Sequence, residues 1–260
     1  MRVDSIGQGF FALVMVGLGV LGLVSGDFAS VWQPVPKEIP GREFLAYVSA
    51  AVSLAGGMGL LWKRTAATGA RLLTVYLLLW LLVLRIPAVF IAPLREVSWS
   101  GCGENAMILA GSLTLMGRFA NGPGRKNTSL ALAERGSRMA GMLFGLALIP
   151  CGLAHLVYAK DTAALVPYWL PWHLGWAYST GVAYLLAGVS IVVKRHAALA
   201  ATLTAGMTAV FTATIWIPAV VESPGDRFNW TALLISSAIT AGAWLVAESF
   251  YPSEKLRESE

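Results

Sequence analysis

Arg71–Ala92 reads RLLTVYLLLWLLVLRIPAVFIA, and this stretch decides the fold. Apart from Arg85 it carries no charge after its first residue, and it shows no two-residue alternation of the kind a half-buried strand needs. At about 1.5 Å of rise per residue, roughly 20 apolar residues in a helix cross the ~30 Å hydrocarbon core of a bilayer. Working outward, runs of the same kind recur, and spans are predicted at 9–26, 44–62, 72–92, 104–120, 139–159, 173–193, 198–221 and 229–250. The whole chain is 57% hydrophobic and 13% charged, about half the charged share of a soluble domain, which points to lipid. Arg2 precedes the first run as in a signal peptide, but Asp4 and the lack of a small-x-small cleavage site favour a retained span. The expected class is all-α: a polytopic membrane protein of about eight transmembrane helices.

Basic loops resist translocation, so Lys and Arg positions set orientation. With eight spans, thirteen of the 19 Lys and Arg residues fall on the side of the termini and five on the other, leaving Arg85 within a span. Both termini are therefore expected in the cytoplasm, with the bilayer as the principal partner. The basic residues are scattered over several loops rather than clustered, so the formal charge of +5 gives no nucleic-acid surface.

The IPAV that ends the opening stretch, at Ile86, recurs at Ile217. An ungapped shift of 131 residues also places Val35 and Pro36 on Val166 and Pro167, Pro40 on Pro171, Tyr47 on Tyr178, Gly57 on Gly188, and Lys63-Arg64 on Lys194-Arg195. Shared hydrophobicity accounts for coincident leucines but not for coincident prolines. The reading is two parallel four-helix repeats, residues 1–121 and 139–250, joined by a cytoplasmic linker at 122–138 and followed by a cytoplasmic tail at 251–260. An even number of helices gives both units one orientation, with their axis along the membrane normal. The paired motif of Pro36 and Pro40, and of Pro167 and Pro171, breaks helical continuity on the outer side of each unit.

Chemistry concentrates around Val166–Gly181, VPYWLPWHLGWAYSTG. Trp169, Trp176 and Tyr178, with His155, Tyr158 and His173 nearby, are candidates to line one outward-facing pocket. A neutral imidazole can bond a quinone carbonyl, move a proton near neutral pH or ligate a metal. The competing reading is structural: tryptophan and tyrosine collect at the water–lipid boundary, and a histidine there bonds a neighbouring carbonyl. The first unit has Glu38, Gly41 and Leu45 where the second has Trp169, Trp172 and Trp176, so the shared fold does not require the cluster.

Arg85 inside a span needs a partner, and Glu104 at the start of the fourth span is the nearest in sequence; the alternative is a contact with an anion or substrate. Cys151 and His155 share a helical face, but two ligands do not complete a tetrahedral site, and neither C-x-x-C nor H-E-x-x-H occurs, so no metal site is expected. Two histidines at outer helix ends do not make a haem site, and a Cys102–Cys151 disulfide is at odds with their depth. No nucleophile, base and acid assemble from position, so the chain reads as no complete enzyme on its own.

The pattern GLAHLVY, VPYWLP, WAYSTGVAYLLAG, KR, IPAV and RFNWTALLISSAITAGAWLVAES, over about residues 140–250, resembles the DoxX-like bacterial membrane proteins. Residues 10–120 resemble them more loosely, as a second copy. The resemblance implies a four-helix bundle per unit and the bacterial cytoplasmic (inner) membrane. Some members of that family are subunits of oxidoreductases that pass electrons to quinone and many have no assigned activity, so the resemblance leaves the cofactor open with quinone one candidate, and a redox-enzyme subunit is a candidate partner beside further copies of the chain. The histidine of GLAHLVY is His155; the first copy, GLVSGDF, has Ser25 there. Three functions follow as expectations: binding of a small hydrophobic molecule such as quinone in support of a redox system, a non-catalytic assembly or scaffold subunit, and a transporter of a lipid-like molecule.

Overall fold

A computed structural model describes residues 4–120 and 128–251. It is helical throughout, with no strand among the described residues. Helix α1, Ile6–Ser25, starts where the Ser5 hydroxyl accepts from the Gln8 N–H at 3.2 Å. It stops at Gly26, whose φ of 59° suits a residue without a side chain and whose N–H reaches the Gly22 carbonyl. After α2, Arg42–Leu60, helix α3, Ala66–Trp80, continues through a π-helical turn at Leu81–Arg85 into α4, Ile86–Ile91. Pro87 explains the wide turn: it lacks an N–H and its ring presses on the preceding turn, so the backbone takes up an extra residue instead of breaking.

Helix α5 is Glu96–Ala120, α6 is Thr128–Val157 with Pro150 inside it, and the short α7 is Ala159–Ala164. Helix α8, His173–Val192, is followed by α9, Ala197–Phe211, a second π turn at Thr212–Trp216, α10, Ile217–Glu222, and α11, Arg227–Ser249.

Neighbours follow the chain around a ring, α1 to α2, α3, α5, α6, α8, α9 and α11, which closes back on α1 while α5 and α11 also pack on each other across the middle. Their crossing is a glycine pair. A Cβ on Gly111 would lie 2.7 Å from the Gly242 Cα, so only glycine lets the backbones approach this closely.

Seven helices among the described residues are long and apolar enough to cross a membrane, which makes this a multi-pass membrane protein by helix composition. The fourth expected span, 104–120, lies inside α5 and is not among the seven. Helix α5 carries Glu96, Glu104 and Arg118, and it packs on α3, α6 and α11. A helix wrapped by protein needs no lipid-matched surface, which is why its sequence gives the weakest signal. Of the expected linker, residues 128–138 already belong to α6, while 122–127 lie outside the described residues, as do 252–260 of the expected tail.

Local geometry recurs at an offset of 131 residues. The π turns at Leu81–Arg85 and Thr212–Trp216 obey it. So do the left-handed residues that precede α2 and α8, Gly41 at φ 69° and Trp172 at φ 60°. The Trp99 Nε1 donates to the Pro93 carbonyl at 2.9 Å, and Trp230 Nε1 donates to that of Pro224 at 2.9 Å.

Candidate functional site: a cavity among α8, α9 and α11

The end of the bundle opposite the termini carries the 26–41 loop, the 158–172 segment and the turn before α11. A cavity of about 860 Å³ opens there. Helix α8 contributes Trp176, Ala177, Thr180, Ala183 and Tyr184, spaced to fall on one face. Helix α11 does the same with Phe228, Thr231, Ala232, Ile235, Ser236 and Ile239. Helix α9 and its π turn add Met207, Thr208, Phe211, Thr214 and Trp216. His155 of α6, Glu104 of α5 and the Ser30–Trp32 loop complete the wall.

Shifting the other half by 131 residues shows what makes this space. A void of only about 30 Å³ remains there, lined by Ala46, Ser49, Ser53, Tyr76 and Leu77, whose shifted positions are Ala177, Thr180, Tyr184, Met207 and Thr208 of the large cavity. The difference is a plug. Gln33, buried in the 26–41 loop, donates through Nε2 to the Tyr76 hydroxyl at 2.9 Å and to Ser49 Oγ at 3.3 Å, and its Oε1 accepts from the Ala29 N–H at 2.9 Å. Phe28 meets Trp80 edge-on at 5.5 Å. In the second half the corresponding stretch forms α7 and a proline-bearing turn, and no side chain fills the centre.

Helix contact adds to the contrast, since α2 and α3 pack more closely than α8 and α9. A Cβ on Gly59 would sit 3.2 Å from the Gly69 Cα, and one on Gly56 would collide with Leu73. At the shifted positions stand Ser190, Ala200 and Ala187, which carry the Cβ atoms that Gly59, Gly69 and Gly56 lack.

Arginines secure the plug. Arg85 donates to the Val31 carbonyl at 3.2 Å and to that of Trp32, and its guanidinium fits because Gly101 has no side chain: a Cβ there would lie 2.5 Å from Arg85 Nη1. Arg227, at the start of α11, donates to the carbonyls of Asp27 at 2.9 Å and Phe28 at 2.6 Å and to Asp27 Oδ2 at 3.4 Å. Arg42 pairs with the other Asp27 oxygen and lies 5.3 Å over the Phe28 ring. Burial alone would raise the Asp27 pKa, but the bonds from Arg42, the Phe28 N–H and Arg227 outweigh it and hold it below the ordinary carboxyl value.

The expected Arg85–Glu104 ion pair does not form: it is not among the salt bridges of the described residues. The two side chains are close enough to interact coulombically. However, the π turn directs Arg85 to loop carbonyls, and Glu104 faces the cavity instead.

Of the pocket candidates, His155, Trp169 and Trp176 line the cavity, whereas Tyr158, His173 and Tyr178 are not in its wall. The sequence reading missed Tyr184, Phe211 and Trp216; the threonine series of Thr204 and Thr208 on α9 and Thr212 at the start of its π turn was the available signal, since it marks an inward face. Pro167 lines the mouth, and the Pro171 carbonyl accepts from Trp176 Nε1 at 3.0 Å, so the Val166–Gly181 stretch is both corner and wall. In the other loop Pro36 and Pro40 are exposed, between α1 and α2.

His155 Nδ1 lies 2.8 Å from the Cys151 carbonyl, and its ring sits 5.1 Å from that of Tyr184 and stacks on Phe211 at 6.4 Å. Cys151 and Cys102 are both free thiols, Cys151 Sγ lying 3.8 Å from the Ser100 carbonyl. Among the described residues no three His, Cys, Asp or Glu side chains gather as metal ligands.

The chain matches no protein-family profile, no curated protein and no solved structure.

Proposed function

We propose that this is a DoxX-like protein of the bacterial inner membrane whose second half binds a small, largely apolar molecule of the quinone class and serves a membrane redox system. The carrying observation is the cavity of about 860 Å³, walled mainly by aromatic and aliphatic side chains, with His155, Glu104, Tyr184 and several serine and threonine hydroxyls among them. Ligand sites are typically of this kind: ~300–1,000 Å³, mostly apolar, with few and convergent polar contacts. In this reading α5 is an eighth span, the termini are cytoplasmic, and the cavity opens on the periplasmic side. The recurrence of π turns, left-handed caps and tryptophan bonds at one offset supports a duplicated four-helix unit. The plugged first half then serves as support and the open second half as the binding unit.

The test is titration of the protein in mild detergent with a short-chain quinone, followed by quenching of tryptophan fluorescence, against Ala232→Trp, which places an indole in the cavity. Saturable quenching that Ala232→Trp abolishes is the expected result. Equal, unsaturable quenching of both proteins refutes the reading. In that case stoichiometric co-purification of another membrane protein would favour a scaffold subunit, and uptake of a lipid-like molecule into vesicles would favour a transporter.

A further inference from the structure

We infer that the ligand carries a hydrocarbon chain and that this chain leaves the cavity sideways, between α8 and α9, into the bilayer; this rests on the cavity being the ligand site. The edges of those two helices supply the argument. Ala177, Tyr184, Thr208, Thr231 and Ile235 line the cavity and are buried. Ala183 of α8 and Val210 of α9 line it too, yet both are exposed, Val210 at 56%. Leu79, which stands 131 residues before Val210, is 54% exposed without belonging to the wall of the small void in its own half. A side chain at this place therefore takes its exposure from outside the bundle, and Val210 faces both the cavity and the surroundings.

Depth decides what those surroundings are. Ala183 lies midway along His173–Val192, and Val210 midway along the 26-residue span Ala197–Glu222. The medium outside a spanning helix at its midpoint is hydrocarbon, so the gap between these edges is a slot into lipid and not a second mouth to water. The first half has no counterpart to it. Val52 and Leu79 occupy the shifted positions of Ala183 and Val210, each larger, and α2 and α3 pack more closely than α8 and α9.

The chemistry of the slot fits a chain. Its hydroxyls are tied back to their own helices: Ser179 donates to the Gly175 carbonyl at 2.8 Å, Thr180 to that of Trp176 at 2.8 Å and Thr214 to that of Val210 at 2.7 Å. A hydroxyl bonded in this way leaves mostly carbon to meet a neighbour. The ionisable groups of the wall, His155 and Glu104, come from α6 and α5 instead. The site is thus divided into a chamber that holds polar groups and an apolar exit, which matches a molecule with a ring at one end and a hydrocarbon chain at the other. Such a molecule reaches the chamber from the bilayer without crossing water.

The experiment uses the full chain in lipid nanodiscs and two probes, a methyl-substituted benzoquinone and the same ring bearing a decyl chain, with binding read by tryptophan quenching. Ala183→Phe and Val210→Phe fill the slot from opposite edges. Each should weaken the decyl probe at least ~10-fold, the scale of forcing surplus volume into a packed space, and leave the methyl probe within about twofold. Comparing each variant with wild type for one probe cancels the greater partition of the decyl chain into lipid. Leu203→Phe, on α9 and exposed but outside the wall, should change neither. A second readout needs no variant, so a substitution that fails to fold leaves the test intact: a diazirine at the end of the decyl chain should label bilayer lipid and exposed side chains of α8 and α9. Labelling of Ile235 or Ile239 on α11 instead, equal loss of both probes, or undiminished binding of the decyl probe overturns the inference and leaves the cavity as a ligand site. So does cross-linking of Val210→Cys between two copies, which would make this face a helix interface. Binding of neither probe to wild type overturns both.

Discussion

Removing the Arg227 side chain tests whether the plug is held in place by its arginines. Arg227→Ala deletes contacts to the Asp27 and Phe28 carbonyls, at 2.9 and 2.6 Å, and a longer one to Asp27 Oδ2 at 3.4 Å. A hydrogen bond from a charged donor contributes about 1.5–3 kcal/mol net. The Arg227 side chain is 31% exposed, so water replaces part of what is lost, and the two good bonds together reduce to about 2–3 kcal/mol. The assay is unfolding of the purified protein in mixed micelles, with Arg227→Lys as companion. Lysine keeps the charge but not the fork that spans two carbonyls, so it should recover less than half of the loss.

Acid adds a second readout of the same clamp. The Asp27 pKa is lowered below its ordinary 3.8 in the folded protein, so its contribution to stability is complete above that value and is lost as pH falls through the folded pKa. Wild type should therefore weaken below about pH 4, and Arg227→Ala, with one cation fewer around Asp27, should weaken less. A loss of less than about 0.5 kcal/mol, the range of an ordinary surface substitution, would refute the clamp, as would an unchanged acid dependence.

Gly242→Ala places a Cβ 2.8 Å from the Met107 carbonyl and should cost about 1–3 kcal/mol, whereas Gly206→Ala, with nothing within 4 Å, should be neutral or stabilise by up to ~1 kcal/mol; thermal melts in detergent compare them. Tyr76→Phe removes the hydroxyl that Gln33 and Ser49 share and should cost about 1–2 kcal/mol in the same melts while leaving ligand affinity in the second half unchanged. The double change Ser190→Gly/Ala200→Gly should let α8 approach α9 as α2 approaches α3, shortening a spin-label distance between them and weakening ligand binding roughly tenfold, a loss of ~1.4 kcal/mol. An unchanged distance would show that the glycines do not set the separation.

Much of this arrangement was legible in the sequence because it rests on properties that single residues carry. Long apolar runs give spans with no further information, and paired prolines fix where helices stop. Helix α5 was the least legible, because a helix shielded by α3, α6 and α11 is freed from the apolar rule that reveals the others. The site was readable in part, at Trp169 and Trp176 and at His155, whose ring lies against Tyr184 and Phe211. Trp169 and Trp176 stand out by residue type, but Tyr184 and Phe211 become wall residues through the separation of α8 from α9, a distance no local pattern encodes. The partner of Arg85 was misjudged for a related reason: the π turn rotates its side chain toward loop carbonyls, and sequence proximity favoured a carboxylate. The substitution of Gly59 and Gly69 by Ser190 and Ala200 was visible all along, yet it acquires meaning only once the helices are known to touch there.

Helix α11 has the largest buried share of the seven apolar helices, 67% of its apolar window, and it is also the last to be synthesised. Helix α1 is made long before α11, one of its two neighbours in the ring, exists. Until translation reaches residue 227, Asp27 lacks Arg227; until it reaches residue 248, Arg118 lacks Glu248, its partner at 2.7 Å. Without α11 the ring of helices has no link between α9 and α1, and α5 loses its packing partner across the middle. A chain that stops before residue 227 would keep every earlier helix yet lack the one that joins α9 to α1 and supplies partners to Asp27 and Arg118.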